Sequence, residues 1–297
     1  MYPSPFGRAQ AIAGDDTGSE VHVVAAVLCV GLTTLDVSQL VAEFPAPGEK
    51  VQSLGVHLAP GGPAANAART VAALGHRAVL LTSLDGELGP LVRGMLGGVE
   101  VRSVGPGGPA LSMVAVRERD GERTVVSRNA SGFALEAGVD LAGCDVVLVD
   151  GHLGPAALAV AHLAKREGVP VVLDAGSWKP VLDDLLPLVD VAACSAAFEL
   201  PESEVHARGV PLVIRTRGPE PVTWSRDGEG GAVPVPAVPV RDTNGAGDVW
   251  HGALAVALAR RLAVEDAVRW ANAVAAVRVR NTAWDWVEEL ERWRDSG

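Results

Sequence analysis

Lysine is nearly missing from this chain, with three residues in 297, and basic charge is scarce overall: 25 Lys and Arg stand against 36 Asp and Glu, a formal charge of -11. That balance repels phosphate backbones and anionic lipid, and no basic run breaks it, which argues against a nucleic-acid binder or a membrane-surface protein. Cys29, Cys144 and Cys194 are odd in number and widely spaced, with no CxxC pair. This excludes a disulfide framework and a thiolate metal site, and reads as three reduced thiols in a cytosol. The seven histidines show no HxxxH or HExxH spacing, so no protein-bound metal is expected. Long apolar runs are absent too: Val23 to Leu32 has ten residues, against the roughly 18–20 that span a bilayer. The first residues lack the apolar core of a signal peptide. We read 1–20 as a mobile leader and 21–297 as one domain.

What is present is a chain 48% hydrophobic, too apolar for disorder. Short β-branched runs alternate with helical patterns from Val21 onward. Val23–Val30, Ala78–Thr82, Val146–Val149, Val169–Asp174, Val189–Cys194 and Leu212–Thr216 read as strands. Ala64–Leu74, Leu88–Leu96, Pro155–Arg166 and Val181–Leu186 read as helices between them. Such alternation predicts an α/β fold, a mainly parallel sheet covered by helices on both faces.

Two stretches break the rhythm. Leu111–Arg119 and Glu122–Arg128 flank Asp120-Gly121, a tight hairpin turn. Gln39–Phe44 and Val51–Leu58 form a second strand-like pair. The two pairs can meet as a small antiparallel sheet, a lid over about 37–60 and 110–129, whose edges can pair between subunits in a homodimer. An ordinary surface hairpin, with no lid or dimer role, fits these stretches equally well. The stretch Val233–Val240 (VPVPAVPV) reads as an extended, proline-spaced strand, and Val264–Arg280 and Trp284–Arg294 as helices whose Trp residues pack.

Chemistry concentrates in Arg241-Asp242-Thr243-Asn244-Gly245-Ala246-Gly247-Asp248. Thr243 or Asn244 can cap a helix whose first turn holds small residues, leaving unpaired N–H groups and the helix dipole open to an anion. Asp248 in that turn suits a general base toward a hydroxyl, or merely favours the helix N-terminus. The second stretch, Gly61-Gly62-Pro63-Ala64-Ala65-Asn66, runs into a helix that Gly75 ends. It lacks the Gly-Lys-Ser/Thr of a P-loop, and the first strand lacks a GxGxxG fingerprint.

Gly61–Gly75 (GGPAANAARTVAALG) and Asp242–Gly252 (DTNGAGDVWHG), with Asp85-Gly86 and Thr216-Arg217-Gly218 between them, resemble the two signatures of the ribokinase or PfkB-type carbohydrate kinases over about residues 21–283. The resemblance implies a three-layer, Rossmann-like body with a small β lid, and ATP-dependent phosphorylation of a small sugar: ribose-, fructose- or other ketose-like, or a sugar acid. It makes Asp248 the catalytic base, Gly245, Ala246 and Gly247 the anion hole, and Asp36, Gly61, Gly62 and Asn66 the sugar ligands. Thr216, Gly218, Asn272 and Asn281 would face the nucleotide. Mg²⁺ would ride on ATP, and a monovalent cation such as K⁺ is a further implied cofactor.

Three features depart from the family pattern. Cys194–Glu199 lacks the usual Asn-x-x-Glu, with Glu199 one place late; Pro221 stiffens the loop after Thr216; and Asn281 replaces a common glycine. The missing Asn-x-x-Glu keeps open a catalytically silent sugar-binding homologue, and a nucleoside kinase of the same fold is the alternative within the family. His251 is expected at a pocket edge or in solvent, and Lys179 at the surface or on a nucleotide phosphate.

Overall fold

The computed structural model describes residues 24–105, 107–128 and 138–296. The expected leader, 1–20, and residue 129 of the expected lid lie outside the described residues. In chain order come β1 (Ala26–Val30), β2 (Thr34–Val41), β3 (Gly55–Gly61), α1 (Pro63–Ala73), β4 (Arg77–Thr82), α2 (Gly89–Met95) and β5 (Val99–Ser103). Next are β6 (Ala110–Arg117), β7 (Arg123–Arg128), β8 (Val146–Val149), α3 (Gly154–Glu167), β9 (Val171–Ala175), α4 (Leu182–Leu185) and β10 (Val191–Cys194). The chain ends with α5 (Glu202–Ala207), β11 (Leu212–Arg217), β12 (Glu220–Arg226), β13 (Glu229–Val233), α6 (Ala246–Ala259), α7 (Val264–Arg280) and α8 (Trp286–Ser296).

Nine strands form one sheet in the order β13-β12-β11-β10-β9-β8-β1-β4-β5. From β11 to β5 all neighbours are parallel, while β12 and β13 add an antiparallel edge. Strand β1 is buried throughout because both faces are covered, as parallel sheets require. Its pleat sends Val27 and Cys29 into the core shared with α1, α6 and α7, and Leu28 and Val30 into the core shared with α3 and α4. The result is three layers. The strand order reverses between β1 and β8, and α6 lies against both of them. Such reversal points open a crevice at the carboxyl ends of strands.

Helix α6 is buried at every position from Val249 to Leu258; a helix apolar all round belongs in an interior. Its Gly252 presses on α1, where a Cβ would stand 2.6 Å from the Ala67 carbonyl oxygen. Relieving that overlap would cost on the order of 1–3 kcal/mol.

The remaining strands make a four-stranded sheet ordered β3-β2-β6-β7. It is mixed rather than antiparallel, because β2 and β6 pair in parallel. Strand β2 also begins at Thr34, earlier than the alternation suggested, so Asp36 sits within a strand instead of a loop. Register aligns Leu58, Val37, Met113 and Val126 in one row across one face. The alternate positions Asp36, Ser38, His57, Ser112, Val114 and Val125 share the opposite face, which turns toward the start of α6.

Three strands escaped the periodicity: β5, β12 and β13. The proline-spaced segment carries strand only as far as Val233, since proline brings no N–H to a ladder. Among the described residues no helix is long and apolar enough to cross a membrane.

Candidate active site

The turn into α6 is set by Gly245, which takes the N-cap position in a left-handed conformation at φ 71, with no side-chain cap bond. Neither Thr243 nor Asn244 caps, contrary to expectation; the Asn244 N–H donates instead to Asp242 Oδ1 at 2.8 Å. Glycine tolerates that φ, and a Cβ there would crowd Asn66 and Asp248. The loop before the turn is pinned by Arg278, almost fully buried, whose guanidinium donates to Asp242 Oδ2 at 2.8 Å. The Ala246 N–H bonds back to the Thr243 carbonyl at 3.2 Å. Among the described residues, the amides of Gly245, Gly247 and Asp248 have no backbone acceptor, and nothing stands where a Gly247 side chain would be. An open helix N-terminus of this kind favours negative charge.

Asp248 Oδ2 accepts a hydrogen bond from Asn66 Nδ2 at 2.9 Å. Burial pushes the Asp248 carboxyl up to about 6, and the buried Asp174 carboxylate adds to the rise. Asn66 is held in that orientation from behind. Arg69 donates to Asn66 Oδ1 at 3.4 Å and to the Pro60 carbonyl at 3.0 Å, with its guanidinium lying over the Trp286 ring. An amide oxygen facing a guanidinium leaves the nitrogen to face Asp248.

Asp36 approaches from β2. Its Oδ1 accepts from the Thr34 hydroxyl at 2.6 Å, and burial raises its carboxyl above the ordinary range. Gly61 lies opposite Thr34 in the β2–β3 ladder, and any side chain there would overlap the Asp36 carboxylate. Gly62 turns into α1 at φ 91, beside the Leu32 carbonyl. Asp36, Asn66, Asp248, Gly245, Ser112 and Arg123 surround one cavity of about 220 Å³. A narrow recess of about 30 Å³ continues past Asn66 toward His57, Arg69 and Arg278.

The structure therefore brings Asp36, Gly62, Asn66, Gly245 and Asp248 to one cavity, with Gly61 behind Asp36 and Ala246 and Gly247 in the adjoining helical turn. Thr216 is the last but one residue of β11, and Gly218 forms the tight turn into β12 at φ 61; both lie at the carboxyl edge of the sheet, away from this cavity. Glu199 borders a separate open groove with Trp178 and Arg208. Lys179 is bonded to the Ser177 carbonyl at 3.3 Å.

Two expectations need correction. Asn272 is buried, and both ends of its amide are used: Oδ1 accepts from Trp250 Nε1 at 2.8 Å and Nδ2 donates to the Pro234 carbonyl at 3.1 Å. It ties α6 to α7 and presents no group to a nucleotide. Asn281 is half-buried at the end of α7, where its Nδ2 donates to the Val277 carbonyl at 2.8 Å. His251 is neither at an edge nor solvated: it is 3% exposed, with Nε2 3.2 Å from the Ala193 carbonyl and Nδ1 3.3 Å from Asp174 Oδ2.

Sequence reading missed Asp150, Asp174, Arg69 and Arg123. Asp150 directly follows β8 and Asp174 lies near the end of β9, and an acid at the carboxyl end of a parallel strand was a readable signal. Asp150 accepts the Leu32 and His152 N–H groups, each at 2.8 Å.

The chain belongs to the pfkB family of carbohydrate kinases, whose profile matches residues 24–284. It is 26% identical to the ribokinase of Bacillus subtilis, over 85% of this chain and 92% of that one. It is 30% identical to the bifunctional protein HldE of Alcanivorax borkumensis, over 86% of this chain and 60% of the relative's length. Among solved structures, a provisionally assigned ribokinase from Agrobacterium tumefaciens superposes with a TM-score of 0.78 at 28% identity, covering 92% of this chain and 98% of that one. Arabidopsis thaliana ribokinase, solved with ribose and ATP, gives 0.76 at 24% identity, covering 91% and 99%. The body with its small sheet is the ribokinase fold.

Proposed function

We propose that the chain is an ATP-dependent sugar kinase, with Mg·ATP as phosphoryl donor and a small sugar or sugar acid as acceptor. The observation that carries this reading is the Asp248–Asn66 pair at an open helix N-terminus, facing Asp36 across a single cavity. In this reading Asp36, Asn66 and the Gly61-Gly62 turn hold sugar hydroxyls. Asp248 takes the proton of the attacking hydroxyl, its oxygen bonds to the γ-phosphorus, and the bond to the bridging oxygen breaks to release ADP. The amides of Gly245, Gly247 and Asp248 face the charge on the phosphoryl group in flight. A carboxyl that titrates near 6 is largely ionised at pH 7, yet is a stronger base than a solvated aspartate.

Thr216 and Gly218 are assigned to the nucleotide phosphates. Mg²⁺ is assigned to phosphate oxygens and water. K⁺ dependence is read by comparing KCl with choline chloride. The small sheet acts as a lid over the acceptor, excluding water during transfer. Among its described inner-face side chains, Ser112, Val114, Arg123 and Val125 offer no ring to stack on a base, and His57, deeper in the recess, already packs against the Trp284 ring, which favours a sugar over a nucleoside. Its other face, with Leu58, Met113 and Val126 exposed, is assigned to a homodimer. A cytosolic location is part of the same reading, resting on free thiols at Cys29, Cys144 and Cys194.

ADP release from Mg·ATP is measured against pentoses, hexoses, ketoses, sugar acids and nucleosides, beside Asp248→Asn. Turnover with one sugar class, reduced ~10²–10⁴-fold in the variant, is the expected result. Sugar binding without ATP binding or turnover would establish the silent homologue instead.

A further inference from the structure

The family resemblance implies a monovalent cation held near Asn281, and the oxygens gathered there test whether one fits. The end of α7 and the loop before α6 meet at this point. The Val279 carbonyl accepts from the Arg241 N–H at 2.8 Å and from the Asp242 N–H at 3.3 Å. Between the two segments lies Arg278, 3% exposed. Its Nη2 donates to Asp242 Oδ2 at 2.8 Å, and its Nη1 donates to the Asn281 carbonyl at 3.0 Å and the Asp242 carbonyl at 3.3 Å. Asp242 Oδ1 is taken by the Asn244 N–H at 2.8 Å. A K⁺ ion is held by a shell of oxygens whose lone pairs turn toward it. Here those lone pairs face N–H groups, and a guanidinium stands among them. Arg69 borders the same recess as Arg278, and Arg123 stands 3.8 Å from Asp242 Oδ1. Three fixed positive charges in one corner repel a fourth. The residues present do not fit a monovalent cation at this junction.

We propose that the Arg278 guanidinium stands in for a monovalent cation in this chain, as a positioning residue for the turn that opens α6. It brings the same single positive charge to carbonyl and carboxylate oxygens, on a rigid fork that cannot dissociate. The link to the turn is short. Arg278 holds Asp242, Asp242 holds the Asn244 amide, and Asn244 leads into Gly245 at the N-cap. A loop fixed in this way keeps the amides of Gly245, Gly247 and Asp248 in place without an ion drawn from solution. Phosphoryl transfer by this chain is then independent of K⁺.

The kinetic consequence rests on the kinase reading; the binding consequence does not, which separates the two. Thallium(I) occupies K⁺ sites and carries an NMR-active nucleus. The thallium resonance of Tl⁺ mixed with the full chain is expected to show no broadening that KCl reverses. Such broadening would overturn the proposal even in a chain without turnover. In the active enzyme, initial rates at fixed ionic strength should be equal in KCl and choline chloride, and activation by KCl would overturn the proposal. Arg278→Met keeps the bulk and removes the charge. Its kcat should fall about tenfold or more in choline chloride, and recover in part when KCl or dilute guanidinium chloride replaces it. A purely structural loss would lower kcat equally in all three salts, and an unchanged kcat would leave the fork without a role; either result refutes the positioning. Arg278→Lys retains a charge on a similar stem and serves where Arg278→Met does not fold. It should stay indifferent to KCl, and activation of that variant by KCl would equally overturn the proposal.

Discussion

Asn66 and Asp248, 182 positions apart in the chain, meet through a 2.9 Å hydrogen bond that joins the first turns of α1 and α6. The bond fixes which carboxylate oxygen is left open toward the cavity. It also makes the basicity of Asp248 depend on a neighbour with no charge of its own.

Asn66→Asp places a second carboxylate in that contact. Like charges at this distance raise the proton affinity of the pair. The acid limb of kcat should move to higher pH, with activity at pH 7 down at least about tenfold and partly recovered near pH 9. A pH–rate profile checks this, and an unmoved limb refutes the coupling.

Gly61→Ala tests the approach of β3 to Asp36. The added methyl overlaps the carboxylate, so Asp36 must turn from its Thr34 contact. Sugar KM should rise by about tenfold or more, equivalent to ~1.4 kcal/mol, while the KM for ATP stays constant. Initial-rate kinetics with both substrates varied separate the two.

Asn272→Ala tests the structural role given to that amide. It leaves the Trp250 indole N–H and the Pro234 carbonyl without their partner, which should cost about 1–3 kcal/mol of stability. Urea unfolding measures the loss. The KM for ATP should not change, and a large rise would return Asn272 to the nucleotide site.

Val126→Glu tests the outer face of the small sheet. Val126 is 71% exposed and ends the row running through Met113 and Val37 to Leu58. Contiguous exposed apolar surface of this kind marks an association site. Sedimentation should show a dimer for the parent chain and a monomer for the variant; a monomeric parent removes the dimer from the reading.

The elements that were legible in the sequence owe their shape to local chemistry. Gly61-Gly62 before an alanine-rich helix, and Gly245 through Asp248 at the start of another, announce turns and close approaches wherever the chain goes. Asp120-Gly121 fixes a hairpin for the same reason. Strand β5 was not legible because it is a half-buried edge carrying Glu100 and Arg102, and β13 because Gly230 and Gly231 dilute its pattern. Buried partnerships were beyond reach altogether. His251 looks like any helical histidine until β9 and β10 bring Asp174 and the Ala193 carbonyl to it. Asn272 looks solvent-facing until Trp250 is set against it. Packing across long sequence separations decides such roles, and no window of neighbouring residues contains it.

The two faces of the small sheet have a consequence for how this protein can be altered. Side chains alternate strictly along β6 and β7, so Ser112, Val114 and Val125 can be exchanged without touching either the outer row or the buried junction of α1 with α6, whereas Arg123 also stands 3.8 Å from Asp242 in the loop before α6. In the kinase reading, the lid side chains that would meet the acceptor are thus an interchangeable panel, and the helix turn that would meet the phosphoryl group can stay as it is beneath them, with Asn66 the residue common to both.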